Sequence, residues 1–262
     1  MSLRAVQYLA MITAVAVLAA CASAPTPVKS AESNLKDADK AYAAHNYDEA
    51  IAGYKKVRES YSSAELTMEA ELKIADAYYD NKSYIEAASA YEDFRKLHPL
   101  NPKAPYALYR AGLSHYYQIT GIDTDQTPVK NAVTMLESFI AQYPDSEYVV
   151  AARAKLEDCK VKQLEYENYV ANFYIRTDKY PSAIKRLKEA LVRFPKSPEL
   201  DQTLFLLGKA YLESGDAAQA KATLLQLQQQ YPYSQYKEKA AKLLQKAAKM
   251  QGTFVGYSSH RS

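Results

Sequence analysis

Few residues in this 262-residue chain have both the type and the spacing to do chemistry. Cys21 is one. It closes Leu18-Ala19-Ala20-Cys21 at the end of Val6–Ala20, a mostly apolar stretch interrupted by Gln7, Tyr8 and Thr13, with Arg4 upstream. A positive n-region, a short apolar core and small residues before the thiol make a signal peptide over residues 1–20, too short to span a bilayer comfortably. The histidines, His45, His98, His115 and His260, show no metal-ligand spacing. No serine, cysteine or carboxylate constellation stands out, and there is no glycine-rich phosphate loop. These observations argue against an enzyme. His115 takes a helix position usually held by a packing tyrosine and is expected to pack.

The Leu-Ala-Ala-Cys string resembles the lipobox of bacterial lipoproteins. That implies thioether attachment of a diacylglycerol to the Cys21 sulfur, cleavage before it, and an N-acyl chain on the new terminus. Each buried CH₂ contributes about 0.8 kcal/mol, so two or three chains anchor the protein stably. No other cofactor and no metal are expected. Ala-Ser-Ala-Pro-Thr-Pro follows at once, so residues 21–31 read as a lipidated tether reaching a few tens of Å at most. The absence of an acidic residue at Ala22 and Ser23 favours the outer membrane under the familiar sorting rules, with the rest of the chain facing the periplasm. The alternatives are an uncleaved anchor helix, or ordinary cleavage that leaves Cys21 as a chance thiol. With Cys21 acylated, Cys159 has no disulfide partner, and its helical context makes it a small core residue.

Without Arg4 the balance is 32 basic to 30 acidic residues, which gives no electrostatic case for nucleic acid. Seven glycines, 24 tyrosines and abundant Ala, Leu, Lys and Glu point to helices.

An internal repeat organises the chain into an all-α solenoid of five TPR-like helix-turn-helix units over residues 32–250. Each second helix reads with a leading residue, an Ala, a large residue one turn later, and a closer eight residues on. The five cores are Tyr47/Ala50/Tyr54, Tyr84/Ala87/Tyr91, Pro128/Ala132/Leu136, Tyr180/Ala183/Leu187 and Ala217/Ala220/Leu224. The closers Ser62, Pro99, Pro144, Pro195 and Pro232 are spaced by 37, 45, 51 and 37 residues. The Ala lets the paired helices approach, the large residue fills the gap between repeats, and the Pro stops the helix. The third unit carries a polar loop, residues 120–128, and the fourth a long first helix from about Glu147 to Arg176. A capping helix is expected over about Tyr236–Met250, with Leu243 and Leu244 inward, and a disordered tail over 251–262.

Carried through the repeat, the register places Tyr42, Asp76, Tyr79, Tyr106, Tyr109, Arg110, Tyr116 and Tyr117 on the face that first helices turn to a groove. Tyrosines offer contact area at low entropic cost, and Arg pairs with carboxylates, so this face suits an extended aromatic peptide with a free carboxylate. Some of these rings are equally suited to packing between repeats.

The enlarged third loop and long fourth helix, after a lipobox, resemble the BamD family, also known as ComL or YfiO. The likeness is carried by Asn46-Tyr-Asp-Glu-Ala-Ile51, Leu108-Tyr-Arg-Ala-Gly-Leu-Ser114, Tyr143-Pro-Asp-Ser-Glu-Tyr148 and Tyr166-Glu-x-x-Val-Ala-x-x-Tyr174, across Cys21–Leu244. This resemblance implies a scaffold of the outer-membrane β-barrel assembly machinery. Its N-terminal repeats would read C-terminal segments of unfolded outer-membrane proteins. Its C-terminal repeats would dock the POTRA domains of the insertase BamA and other assembly lipoproteins. Regular 34–36-residue units would instead have suited a secretin pilotin; a regulator of cell-wall enzymes is the other alternative. Mass spectrometry of the mature N-terminus is expected to show Cys21 as the first residue carrying acyl chains; an unmodified Cys21 would refute the anchor.

Overall fold

The structure is a computed structural model describing residues 29–60 and 63–258, with side chains as far as Met250. Cys21, the signal peptide, most of the tether and the closer Ser62 lie outside the described residues. The chain divides into two compact units, residues 1–70 and 71–262. In the first lie α1 (Ala31–Ala43) and α2 (Tyr47–Glu59), and α3 (Ala64–Asp80) runs from the first unit into the second. The second unit continues with α4 (Tyr84–Leu97), α5 (Ala104–Tyr117), α6 (Thr127–Gln142) and α7 (Val149–Arg176). It ends with α8 (Tyr180–Arg193), α9 (Leu200–Glu213), α10 (Ala217–Gln230) and α11 (Lys237–Ser258). The described residues are helical throughout their regular structure, and the fold is the TPR-like α-solenoid that the repeat implies.

The helix starts and stops follow from local chemistry. Each Pro closer is preceded by a residue forced out of the helical region. His98, Tyr143, Phe194 and Tyr231 have φ between −123° and −132° and ψ between 51° and 65°. Each donates its N–H to the carbonyl four residues back, and each carbonyl accepts from the residue three ahead. Four stops share one geometry because each precedes a proline.

The turn inside a hairpin is equally regular. His45, Lys82, Asp178 and Gly215 take φ of 60°, 62°, 57° and 89°. The next N–H then reaches back to the carbonyl five residues earlier, as Asn46 does to Ala41 and Ser83 to Tyr78, closing the first helix. Only the last turn uses glycine for this left-handed step; at the others an L side chain is held there at about 1–2 kcal/mol. The third hairpin has no such step. Its loop between α5 and α6 is pinned by Asp125, which accepts from the Thr127 amide at 2.9 Å and hydroxyl at 2.8 Å.

The repeat alanines Ala50, Ala87, Ala132, Ala183 and Ala220 are all fully buried, and Tyr54, Tyr91, Leu136, Leu187 and Leu224 are at most 1% exposed. Helix α7 explains the long spacing before Pro195. Its first half packs Ala152, Leu156 and Cys159 against Leu136 and Phe139, and its end packs Ala171 and Ile175 against Ala183 and Leu187. Cys159 is buried, which pushes its thiol up to about 12. His115 is buried too, with Nε2 at 2.8 Å from Glu92 Oε1.

Leu243 and Leu244 of α11 pack inward as expected. The helix backbone, however, extends through Ser258 rather than ending near Met250. Gly252 and Gly256 weaken a helix by about 1 kcal/mol each but do not stop it, and no proline intervenes.

Gly208 sits where α9 and α10 touch: a Cβ there would come 2.6 Å from both Cγ and Cδ2 of the buried Leu224. Gly208→Ala should therefore destabilise the protein by about 1–3 kcal/mol, despite the better helix propensity of Ala. Urea denaturation reads this directly; an unchanged or raised midpoint would contradict the close contact.

Candidate functional site

The site begins with a half-buried carboxylate. Asp76, on α3, accepts a hydrogen bond from the Tyr91 hydroxyl at 2.5 Å and from the Tyr106 hydroxyl at 2.8 Å. Burial pushes its carboxyl above the ordinary range, while the two phenols and the Arg110 charge pull it back. Burial likewise pushes the Tyr79, Tyr91 and Tyr106 phenols upward, so they remain protonated donors.

Arg110, on α5, is built onto this base. Its Nε–H donates to the Tyr91 oxygen at 3.1 Å, and its guanidinium carbon lies 3.5 Å from the Tyr79 ring centroid. The rings of Tyr106 and Tyr91 are 5.6 and 5.8 Å away. Stacking of this kind contributes about 0.5–2 kcal/mol and holds the fork in one plane. A terminal nitrogen, NH2, reaches Asp80 Oδ1 at 3.5 Å, and the Arg110 side chain is 18% exposed.

Beside the guanidinium, Tyr84 and Tyr117 stack with centroids 5.1 Å apart, and Tyr79 meets both edge-on at 5.5 and 6.0 Å. Tyr116 stands edge-on to Tyr117, and Lys155 of α7 lies 4.2 Å from the Tyr116 ring centroid. Tyr117 is 43% exposed.

The structure thus brings together Tyr79, Tyr106, Tyr109, Arg110, Tyr116 and Tyr117, but not as equals. Tyr109 is a core residue, not a groove residue: it stacks on Tyr148 at 5.0 Å, packs on Phe139 and is only 9% exposed. The Tyr106 and Tyr116 hydroxyls are occupied by Asp76 and Asp158. Tyr42 belongs to the first unit, edge-on to Tyr47 at 5.5 Å. The accessible part of the face is Tyr117 with the half-buried Tyr79, Tyr84 and the edge of the Arg110 fork.

Tyr84, Tyr91, Asp80 and Lys155 escaped the sequence reading as site residues. A signal for two of them exists in the repeat. Asp39, Tyr42, Tyr47 and Tyr54 recur 37 residues later as Asp76, Tyr79, Tyr84 and Tyr91. Both sets make the same contacts: Tyr54 donates to Asp39 at 2.7 Å, and the Tyr42–Tyr47 and Tyr79–Tyr84 pairs are both T-shaped at 5.5 Å.

The model of the YfiO family, described as an outer membrane lipoprotein, matches residues 28–223, which contain the whole face. The chain belongs to this family. The outer membrane protein assembly factor BamD of Caulobacter vibrioides is 26% identical over 199 residues, covering 76% of this chain and 65% of its own. That of Vibrio cholerae is 30% identical over 148 residues, covering 52% and 61%, so the chain spans less than two thirds of either relative. The BamD of Neisseria meningitidis serogroup A is 26% identical over 237 residues, covering 84% of this chain and 89% of its own. Among the described residues no helix is long and apolar enough to cross a membrane, and no group of three or more His, Cys, Asp or Glu could hold a metal ion.

Proposed function

We propose that the protein is an assembly factor for outer-membrane β-barrel proteins, held at the periplasmic face of the outer membrane by acyl chains on Cys21. In this reading it is a scaffold without catalytic activity. The observation that carries it is the Tyr79/Tyr84/Tyr117 cluster beside the Arg110 fork, in a chain whose relatives bear the name assembly factor. A precursor segment that ends in an aromatic residue presents a ring and a carboxylate together. The tyrosines supply apolar area with polar edges, and the guanidinium supplies the counter-charge.

We assign the docking of insertase POTRA domains and of other assembly lipoproteins to the C-terminal helices. Tyr169 and Phe173, one turn apart on α7 and about half exposed, favour a protein contact there, because aromatic residues are enriched at such interfaces.

The test is binding of a peptide ending in Phe with a free carboxylate. Tyr117→Ala removes an exposed ring without touching Asp76, and Arg110→Gln removes the charge while keeping a stem over Tyr79. Each should weaken binding about tenfold or more, the scale of one charge-assisted contact or buried ring. Unchanged affinity in both variants would remove the peptide-binding reading.

A further inference from the structure

The cluster of tyrosines has a cation at each end. Arg110 touches it at Tyr79, and Lys155 of α7 touches it at Tyr116 and Tyr117. The geometry points to Lys155 as a second receiver of negative charge, for an acidic side chain lying a few residues before the chain terminus that Arg110 takes. This rests on the peptide-binding reading of the face.

The Lys155 Nζ lies 4.2 Å from the Tyr116 ring centroid and 5.6 Å from that of Tyr117. Within about 6 Å the ring quadrupole attracts an ammonium, so the two rings hold the charge at this end of the cluster. Among the described residues its partners are these rings and not a carboxylate. The acid one turn further along the helix, Asp158, accepts instead from the Tyr116 hydroxyl. Lys160, on the same helix, is committed in a way that Lys155 is not: it pairs with Glu157 at 3.3 Å and Glu137 at 3.7 Å. An incoming carboxylate can therefore use the Lys155 N–H donors without displacing a resident acid. Lys155 is also half-buried, so salt and water screen it less than a lysine on an open surface.

The two cations differ in kind. The Arg110 fork is fixed in one plane by Tyr79 and by the bond from its Nε–H to Tyr91, which suits a terminal carboxylate whose place is set by the end of the chain. An ammonium on a four-carbon stem is a compact charge that follows its partner, which suits a side-chain carboxylate.

The spacing fits one extended segment. The contact path between the cations runs through Tyr79 and Tyr117, whose centroids are 6.0 Å apart. An extended chain advances about 3.3 Å per residue, so it covers this two-ring interval in about three or four residues. Side chains alternate along such a chain, so the third and fifth residues from the end face the same way as the last. An acid at either place brings its carboxylate to Lys155 while the last ring covers Tyr117 and Tyr84. The face would then rank aromatic chain ends by whether an acid precedes them.

The experiment measures binding of three Phe-terminated ten-residue peptides to the full chain in detergent. One carries Glu at the third- and fifth-from-last positions, one carries Gln at both, and one has the two Glu moved to its first two positions. Wild type should bind the first about two- to fivefold tighter than the second, the range of an exposed ion pair, and the third no tighter than the second. Lys155→Gln should abolish that preference, Lys155→Arg should keep it, and Arg110→Gln should weaken all three peptides alike. If Arg110→Gln weakens binding but Glu brings no preference, or the preference survives Lys155→Gln, the second receiver is refuted while the peptide-binding reading stands. An equal gain from Glu at the far end would show diffuse attraction and would also overturn it. Binding of all three that ignores both Arg110 and Tyr117 would remove the peptide-binding reading, and this proposal with it.

Discussion

The hydroxyl of Tyr91 is the point on which fold and site meet. Its ring is the large residue of the second repeat, fully buried one turn after the fully buried Ala87. The same side chain donates to Asp76 and accepts from Arg110. The position of the guanidinium is thereby tied to the contact that packs one helix against the next. Loss of that phenol would leave a half-buried carboxylate with one partner fewer and an arginine with nothing to fix its Nε.

The repeat shows what the alternative would be. In the third unit, Leu113 and Leu136 stand where Asp76 and Tyr91 stand in the second, and both are buried in one apolar cluster. The fourth and fifth units likewise put Leu187 and Leu224 at that place. An apolar pair packs at least as well as a buried carboxylate, which must first be desolvated and then hydrogen-bonded. Packing therefore gives no reason for the polar pair in units one and two. In the second unit its presence makes sense as the means of holding the Arg110 fork in place beside exposed tyrosines. One scaffold position serves packing alone in three units and, in the second, also positions Arg110.

Much of this was legible before any coordinates. Proline closers and the Ala/large-residue pairs located the helices, because stops and close approaches are local chemistry. The length of α7 followed from a stretch free of Gly and Pro. Left-handed turns at His45, Lys82 and Asp178 were not legible, since none of these is a glycine and the hairpin imposes the positive φ. The site was read in outline only. Tyr109 and Tyr117 were both placed on the groove by register, but Tyr148, which follows the whole of α6, covers the first and leaves the second open. Asp80 and Lys155 were missed for the same reason: their partners are distant in sequence. The end of α11 was not legible, because residues 251–258 carry no apolar period and the helix there continues without one.

We propose the surface around Tyr117 as the place where precursors of outer-membrane barrels are received. A photo-crosslinking residue at Tyr117, introduced into the full-length protein in growing cells, tests this most directly. The predicted result is crosslinking to newly made barrel precursors, which is lost when Arg110 is changed to Gln. Crosslinking only to folded partners, with no dependence on Arg110, would contradict it.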